Sequence, residues 1–249
     1  MPQVRIEHQR RVPTLTAAAL ATDRIRLGTL VASPNFRHPV PFAKELVTLD
    51  DISAGRLTLG IGAGSVGWDA TMLGERWSAA ERADRFSEFV ALLDRLLSQQ
   101  AVSHNGPYYH ASEARIYPGC VQRPRVPFAV AAIGPRGMRL AATYGQIWVT
   151  NGTRTRPGPI DASTGAAIVR EQMARLDDAC AEVGRHPGSL RRLVLTGPEF
   201  DSGLVSSEAF RDTVGRYADV GVTDLVVPWP RAEPPYAADL GVFEQILTS

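Results

Sequence analysis

The stretch TLDDISAGRLTLGIGAG, residues 48–64, holds the end of one predicted helix and the whole of one predicted strand. The helix is predicted over residues 38–54, and Gly55 ends it, because glycine is the usual residue just beyond a helix C-terminus. Residues 57–62, LTLGIG, form an apolar run of the length expected for a buried strand. Helix and short buried strand in alternation are typical of a parallel α/β fold.

The same alternation extends along the chain in both directions. Residues 101–127 interrupt it, and Asn105-Gly106 predicts a hairpin there. The predicted strands number six, two fewer than a closed (β/α)8 barrel requires, and Val4 and Ile6 would add only a weak seventh. The other strands are predicted at 24–31, 128–133, 147–151, 192–196 and 224–228, and the helices at 13–22, 86–97, from Pro135 onward, 164–184 and 206–220.

The composition is that of an ordinary globular protein. Hydrophobic residues make up 44% of the 249 and charged residues 21%, which excludes the disordered and fibrous classes. The formal net charge of +1 provides no general attraction to nucleic acid. No apolar run reaches the roughly 18 residues of a membrane helix, and the N-terminus lacks the apolar core of a signal peptide. Cys120 and Cys180 stand far apart and outside metal-ligand spacing, so we expect no disulfide, no metal site and a cytoplasmic location.

Gly62, Gly64 and Gly67 satisfy the pattern G-x-G-x-x-G directly after a predicted strand. In a dinucleotide-binding fold this pattern opens an apolar helix, but here it is followed by residues 68–71, WDAT. The alternative is that these glycines let the backbone pass close to another segment at the end of the strand. We favour this second interpretation.

Cationic residues follow several of the predicted strands. Residues 134–137, GPRG, lie where a strand passes into a helix, so their amides would form an anion site or simply cap the helix. Arg154 and Arg156 follow the next strand, and Arg37 and His38 follow the first. His38 is either a general base or a residue at the start of a helix, and the second is the commoner case. No nucleophile elbow, P-loop or zinc-protease motif is present in the sequence.

Three segments together resemble the bacterial luciferase-like superfamily. Residues 48–64 are similar to its TLDxLSxGRxxLGxGxG signature, residues 121–145 to its GPR-x-LRLAARYAD helix with the preceding strand, and residues 24–45 to its third strand and following helix. The resemblance implies a TIM (β/α)8-type barrel in a single domain over residues 1–249. Members begin with a strand, a helix and a second strand before the part that matches here. We therefore expect this chain to lack the N-terminal one or two β/α units, with residues 1–11 unmatched.

The resemblance also assigns cofactor-binding roles, whereas the catalytic residues stay unknown because the segment that usually supplies an acid or a histidine has no match. A non-prolyl cis peptide bond, between residues 30 and 31, is expected to support the ring of the cofactor. The loop after the second strand would line the edge of that ring, and two further loops would hold the phosphate or tail. The ring positions are Leu30, Val31, Ala63, Gly64 and Ser65, and the phosphate or tail positions are Ala132, Ile133, Gly134, Asn151 and Arg154.

The expected function is hydride transfer between coenzyme F-420 and a small organic substrate. One alternative is a monooxygenase that uses reduced FMN and oxygen, and a second is a truncated, non-catalytic flavin-binding protein. A barrel that lacks strands leaves parallel edges unpaired, and such edges are usually covered. We therefore expect a homodimer or larger homo-oligomer, with no nucleic-acid or membrane partner.

Overall fold

Strands and helices alternate through most of the chain, as the sequence predicts. The computed structural model describes residues 11–64, 68–152, 160–197, 199–234 and 236–248. It divides into two compact units, residues 1–131 and residues 132–249. The single domain and the homo-oligomer stay predictions.

The first unit contains a parallel sheet in the order β1-β2-β5 and a separate antiparallel hairpin of β3 and β4. Leu27 lies opposite Leu57, and Leu59 lies opposite Phe128. The elements are α1 (Arg11–Leu20), β1 (Leu27–Gly28), α2 (Pro39–Ile52), β2 (Leu57–Ile61), α3 (Trp68–Met72), α4 (Ala79–Ser98), β3 (Val102–Asn105), β4 (His110–Ala114) and β5 (Phe128–Ala131).

The first strand is much shorter than the predicted residues 24–31. After Gly28 the chain leaves the ladder, and it returns only at a single parallel bridge between Ala32 and Ile61. The prediction was therefore wrong at residues 24–26 and at residues 29–31, and the latter form the loop described below. Gly55, at φ +77°, follows the end of α2 as predicted.

Helix α4 confirms the clearest periodicity in the sequence. Its apolar positions, from Phe86 to Leu97, are buried. Ser78 caps the helix: its hydroxyl accepts the amide of Glu81 at 3.2 Å, and the Glu81 carboxylate accepts the amide of Ser78 at 2.8 Å. The predicted hairpin within residues 101–127 is also confirmed, and Glu88 of α4 anchors it by accepting the amides of Tyr108 and Tyr109.

The second unit contains a parallel sheet in the order β6-β7-β8. Trp148 on β6 is fully buried, and its indole nitrogen donates to the carbonyl of Ala132 at 2.7 Å, so this side chain packs in the core of the second unit. A final helix, α8, was not predicted. The elements are α5 (Pro135–Tyr144), β6 (Ile147–Thr150), α6 (Ala162–Glu182), a 3₁₀ turn (Pro187–Ser189), β7 (Arg191–Leu195), α7 (Ser207–Asp219), β8 (Asp224–Val226) and α8 (Leu240–Thr248).

Both cysteines are buried and free, and burial raises the pKa of each thiol. Within the described ranges, no helix combines the length and the apolar character needed to cross a membrane.

Asp50 is the buried polar group that joins α2 to the segment before β5. Its side chain is fully buried, and its two carboxylate oxygens accept the backbone amide and the side-chain amide of Gln122 at 3.0 and 2.8 Å. The same Gln122 amide nitrogen also donates to the carbonyl of Leu57 at 2.7 Å. Asp50 and Gln122 together therefore tie the segment before β5 to α2 and to β2, which precede it by more than 60 residues.

We predict that Asp50→Ala lowers the free energy of unfolding by about 3 kcal/mol, because it leaves buried amide donors without their charged acceptor. Asp51→Ala, at the exposed neighbouring aspartate, is the matched control and should change stability by less than about 0.5 kcal/mol. Urea denaturation of both variants measures the difference. Equal stability of the two would show that the Asp50 carboxylate does not hold the first unit together.

Candidate functional site

Two glycines let β1 and β2 lie unusually close at their carboxyl ends. A Cβ atom on Gly60 would overlap the carbonyl oxygen of Thr29, and one on Gly62 would lie 2.9 Å from a methyl carbon of Val31. A larger residue at Gly60 would require the backbone to move, and one at Gly62 would require the Val31 side chain to shift. For Gly62 of the motif, the interpretation that the glycines permit a close approach to another segment is therefore confirmed. The dinucleotide-fold alternative fails, because the helix that follows, α3, spans only five residues.

The close approach fixes the loop that leaves β1. The hydroxyl of Thr29 donates to the carbonyl of Gly60 at 2.6 Å, and the amide of Ala32 donates to the same carbonyl at 2.8 Å. Between these two bonds, the Leu30–Val31 peptide bond is cis, as the family resemblance implied. Leu30 and Val31 are both half-buried, so each keeps surface that a ligand can contact.

Gly64 lies against the continuation of the same loop. Its φ is +80°, and a Cβ there would lie 3.1 Å from the side-chain nitrogen of Asn35 and 3.3 Å from the Cβ of Ser33. The structure therefore places the predicted residues Ala63 and Gly64 beside the loop that contains Leu30 and Val31. Ser65, and Gly67 of the glycine motif, lie outside the described residues.

Arg85 of α4 holds this loop in place through hydrogen bonds, and the sequence did not predict this role. Its guanidinium donates to the carbonyl of Pro34 at 3.0 Å and to the hydroxyl of Tyr109 at 3.2 Å. It also pairs with the carboxylate of Glu75 at 2.8 Å. Burial raises the pKa of Tyr109 further above its ordinary value of 10. The loop is thus held by contacts from segments about 50 residues away.

Arg37 and His38, which follow β1, form hydrogen bonds with the loop backbone and with the start of the next helix. Arg37 donates to the carbonyls of Ser33 and Asn35, both at 3.1 Å, and its guanidinium lies over the ring of Phe42. Nδ1 of His38 accepts the amide of Val40 at 3.2 Å and so caps α2. The structure therefore favours the helix-start role for His38 over the general-base role. Arg37 braces the backbone, and this contact accounts for its position without an anion.

The predicted phosphate cradle lies at the start of α5. Gly134 is the N-cap, and no side chain of the described residues caps this helix end. A Cβ on Gly134 would have no atom within 4 Å, whereas one on Gly137 would lie 2.9 Å from the Cβ of Ala132. The helix thus starts tightly packed on the end of a strand, with open space at its cap. Helix ends of this kind bind anions through backbone amides and the helix dipole.

Hydrogen bonds fix the chain on either side of the cradle. The amide of Ala132 donates to the carbonyl of Val149 at 3.1 Å. At the end of β6, the hydroxyl of Thr150 donates to Gln172 at 2.6 Å, and Gln172 donates to the carbonyl of Gly152 at 3.1 Å. Asn151 lies between these contacts and is exposed, so its side chain is available to a ligand. The predicted Arg154, and Arg156 beside it, lie outside the described residues.

Comparison with known proteins identifies the family. The family model described as luciferase-like monooxygenase matches residues 6–198. The chain belongs to the luciferase-like monooxygenase family.

Two curated relatives illustrate the reactions found among similar proteins. An F420-dependent glucose-6-phosphate dehydrogenase of Beutenbergia cavernae is 39% identical over 149 residues, which are 58% of this chain and 43% of that protein. A 4-hydroxyprotoasukamycin monooxygenase of Streptomyces nodosus subsp. asukaensis is 36% identical over 177 residues, which are 69% of this chain and 45% of that protein. The matched part is less than half of the length of either relative.

A solved structure confirms the class of fold. The coenzyme F420 dependent tetrahydromethanopterin reductase from Methanopyrus kandleri superimposes with a TM-score of 0.73 at 17% identity, over 92% of this chain and 84% of that one. The fold is therefore α/β, of the TIM-barrel-like type of the luciferase-like enzymes. That this chain lacks N-terminal β/α units stays a prediction.

We predict that His38 makes the protein less stable as the pH falls. Burial is the main cause that lowers the pKa of this imidazole below its ordinary value of 6.5, so the unfolded chain takes up the proton first. Unfolding is then favoured as the pH drops through the ordinary imidazole range, and a proton on Nδ1 would remove the cap on α2.

The melting temperature of the wild type should therefore fall more between pH 7.5 and 5.5 than that of His38→Asn, since asparagine caps helices without titrating. Two parallel thermal-unfolding series measure this difference. The same pH dependence in both proteins would contradict the assigned role of His38.

Proposed function

We propose that this chain is an oxidoreductase that passes hydride between coenzyme F-420 and a small organic substrate. The observation that carries the proposal is the open, uncapped start of α5 at Gly134, in a family whose relatives include an F420-dependent dehydrogenase. An F-420 molecule has an anionic phosphate-bearing tail, and this helix end has the chemistry to bind one.

The residues at the start of α5 fit a phosphate group. The cap position has room, no acidic residue occupies the first turn, and Arg136 adds a positive charge at the second helical position. We assign the phosphate to the backbone of Ala132, Ile133 and Gly134. Asn151, and Arg154 beyond it, are proposed to contact the phosphate or tail.

The residues at the ends of β1 and β2 fit a flat ring. Leu30 and Val31 after β1, and Ala63 and Gly64 after β2, are half-buried. They offer backbone and aliphatic surface to a ligand, and Arg85 holds the first of these two loops in place. When bound, the deazaflavin would supply the hydride chemistry itself. The task of these residues is to orient the ring and to exclude water from one of its faces, and Ser65 is proposed to act with them.

The second candidate is a monooxygenase that uses reduced FMN and oxygen. The observation in its favour is the similarity to the Streptomyces monooxygenase, which extends over more of this chain than the similarity to the dehydrogenase does. FMN also carries a phosphate, so the start of α5 would serve either cofactor. A comparison of the binding affinities for F-420 and FMN therefore decides between the two functions.

Variants at Gly134 test the phosphate assignment. Aspartate and asparagine are both good caps, and a Cβ atom at this position would have no atom within 4 Å, so Gly134→Asp and Gly134→Asn should fold as well as the wild type. They differ by one negative charge at the proposed phosphate site. We predict that Gly134→Asp binds F-420 at least tenfold more weakly than Gly134→Asn, about 1.4 kcal/mol.

Cofactor fluorescence measures the affinities, and thermal unfolding checks the fold. The same titrations with FMN provide the second arm. Tighter binding of FMN than of F-420 by the wild type would favour the monooxygenase. Equal F-420 affinity of the two variants would remove Gly134 from the phosphate site.

A further inference from the structure

A small pocket in the first unit borders the residues assigned to the ring, because its lining residue Asn35 lies against Gly64. Its volume is about 70 Å³, and its lining includes Asn35 from the loop after β1, Glu75, Arg76 and Trp77 from the segment before α4, and Arg82 from α4 itself. One water molecule takes about 30 Å³ in the liquid. The pocket therefore has room for a group of several heavy atoms.

Two buried hydrogen-bond donors that line this pocket have no acceptor. The side chain of Asn35 is only 3% exposed, and its Nδ2 has no hydrogen-bond partner among the described residues. The indole Nε1 of Trp77 is likewise buried and unpaired within the described part of the chain. Native proteins leave few buried donors unsatisfied, so two around one small space indicate that an acceptor belongs there.

The surrounding contacts hold these donors in place. Oδ1 of Asn35 faces the guanidinium of Arg85 at 3.5 Å, which leaves Nδ2 on the opposite side, against Gly64. The guanidinium of Arg82 donates to the carbonyl of Trp77 at 2.7 Å, and that of Arg85 lies over the Trp77 ring. Neither donor can easily turn toward a partner elsewhere.

The charges around the pocket favour an anion. Arg76 and Arg82 line it, whereas the lining carboxylate, Glu75, is already paired with Arg85 at 2.8 Å. The local charge is therefore positive once that pair is set aside. Positive charge together with neutral N–H donors is the usual composition of a carboxylate or phosphate site.

We propose that this pocket binds an oxyanion group, a carboxylate or a phosphate, through Asn35 Nδ2 and Trp77 Nε1 with support from Arg82. The group belongs either to the substrate or to the tail of the cofactor. The ability of the pocket to bind an oxyanion does not depend on which cofactor the protein uses.

The test follows the indole N–H signals of the full chain in ¹H–¹⁵N NMR spectra. The chain contains four tryptophans, and Trp77→Phe identifies the signal of Trp77 by its loss. Sodium phosphate and sodium acetate are titrated separately, with sodium chloride holding the ionic strength constant. We expect the Trp77 signal to move in a saturable way with at least one of the two, and Asn35→Leu to weaken that binding at least fivefold.

Thermal unfolding provides a second readout and a matched control. Phosphate or acetate should raise the melting temperature of the wild type and of Trp229→Phe, whose exposed indole lies in the second unit, by equal amounts. The rise should be smaller in Trp77→Phe, which keeps the ring and loses only the donor. A Trp77 signal that does not move, or that moves equally with chloride, would overturn the proposal.

Addition of F-420 then distinguishes the two sources of the oxyanion. If the cofactor tail occupies the pocket, F-420 alone moves the Trp77 signal, and phosphate or acetate adds nothing further. If the substrate supplies the group, the anion response is the same with and without F-420. Failure of F-420 to bind at all would contradict the proposed function but would leave the anion response intact, so the two proposals can fail separately.

Discussion

The lack of side chains at Gly60 and Gly62 is the constraint on which the arrangement of the first unit depends. It lets the carbonyl of Gly60 accept two hydrogen bonds from the β1 side, from Thr29 and from Ala32. The segment between these contacts bends away from the sheet, which brings Leu30 and Val31 to the end of the strands. A Cβ at Gly60 would overlap the backbone of Thr29 and force β1 away from β2, and a Cβ at Gly62 would press on the Val31 side chain.

A loop that leaves the sheet in this way has to be held by polar contacts from other segments. Arg85 provides them from α4, and Arg37 provides them from within the loop itself. Asp50 performs the corresponding task for the segment that leads into β5. In each case a charged group bonds to backbone atoms, so the side chains of the loop stay available for other contacts. Asn35 is the clearest example, because its amide is buried beside a pocket and still has a donor to offer.

The sequence predicts the elements whose signals are local. The periodicity of α4, the hairpin around residues 101–127 and the glycine after α2 each depend on residues within a few positions of one another. Helix α8 was missed because its nine residues include Gly241 and β-branched residues, and because its packing against Trp229 becomes visible only in three dimensions. The length of β1 was overestimated for a related reason, since the neighbour that ends it is Gly60 on another strand.

The candidate site likewise contains some residues that the sequence predicts and others that it does not. Its backbone positions could be predicted, because the family resemblance depends on short motifs that contain them. These positions are residues 30–31, 63–64 and 132–134. The role of Arg85 could not be predicted, because an arginine on an amphipathic helix normally faces solvent, and its partners in the loop, Pro34 and Asn35, lie about 50 residues away. The family motifs also did not predict the unpaired donors on Asn35 and Trp77, because whether a donor is paired depends on packing and not on the order of residues.

Hydrogen–deuterium exchange with and without F-420 tests the central claim most directly. The account predicts that bound F-420 slows exchange at residues 29–35 and at residues 132–138, the two segments assigned to the ring and the phosphate. Exchange in the remote helix α8 should stay unchanged. Protection confined to other segments, or none at F-420 concentrations that saturate binding, would contradict the assignment of these loops to the cofactor.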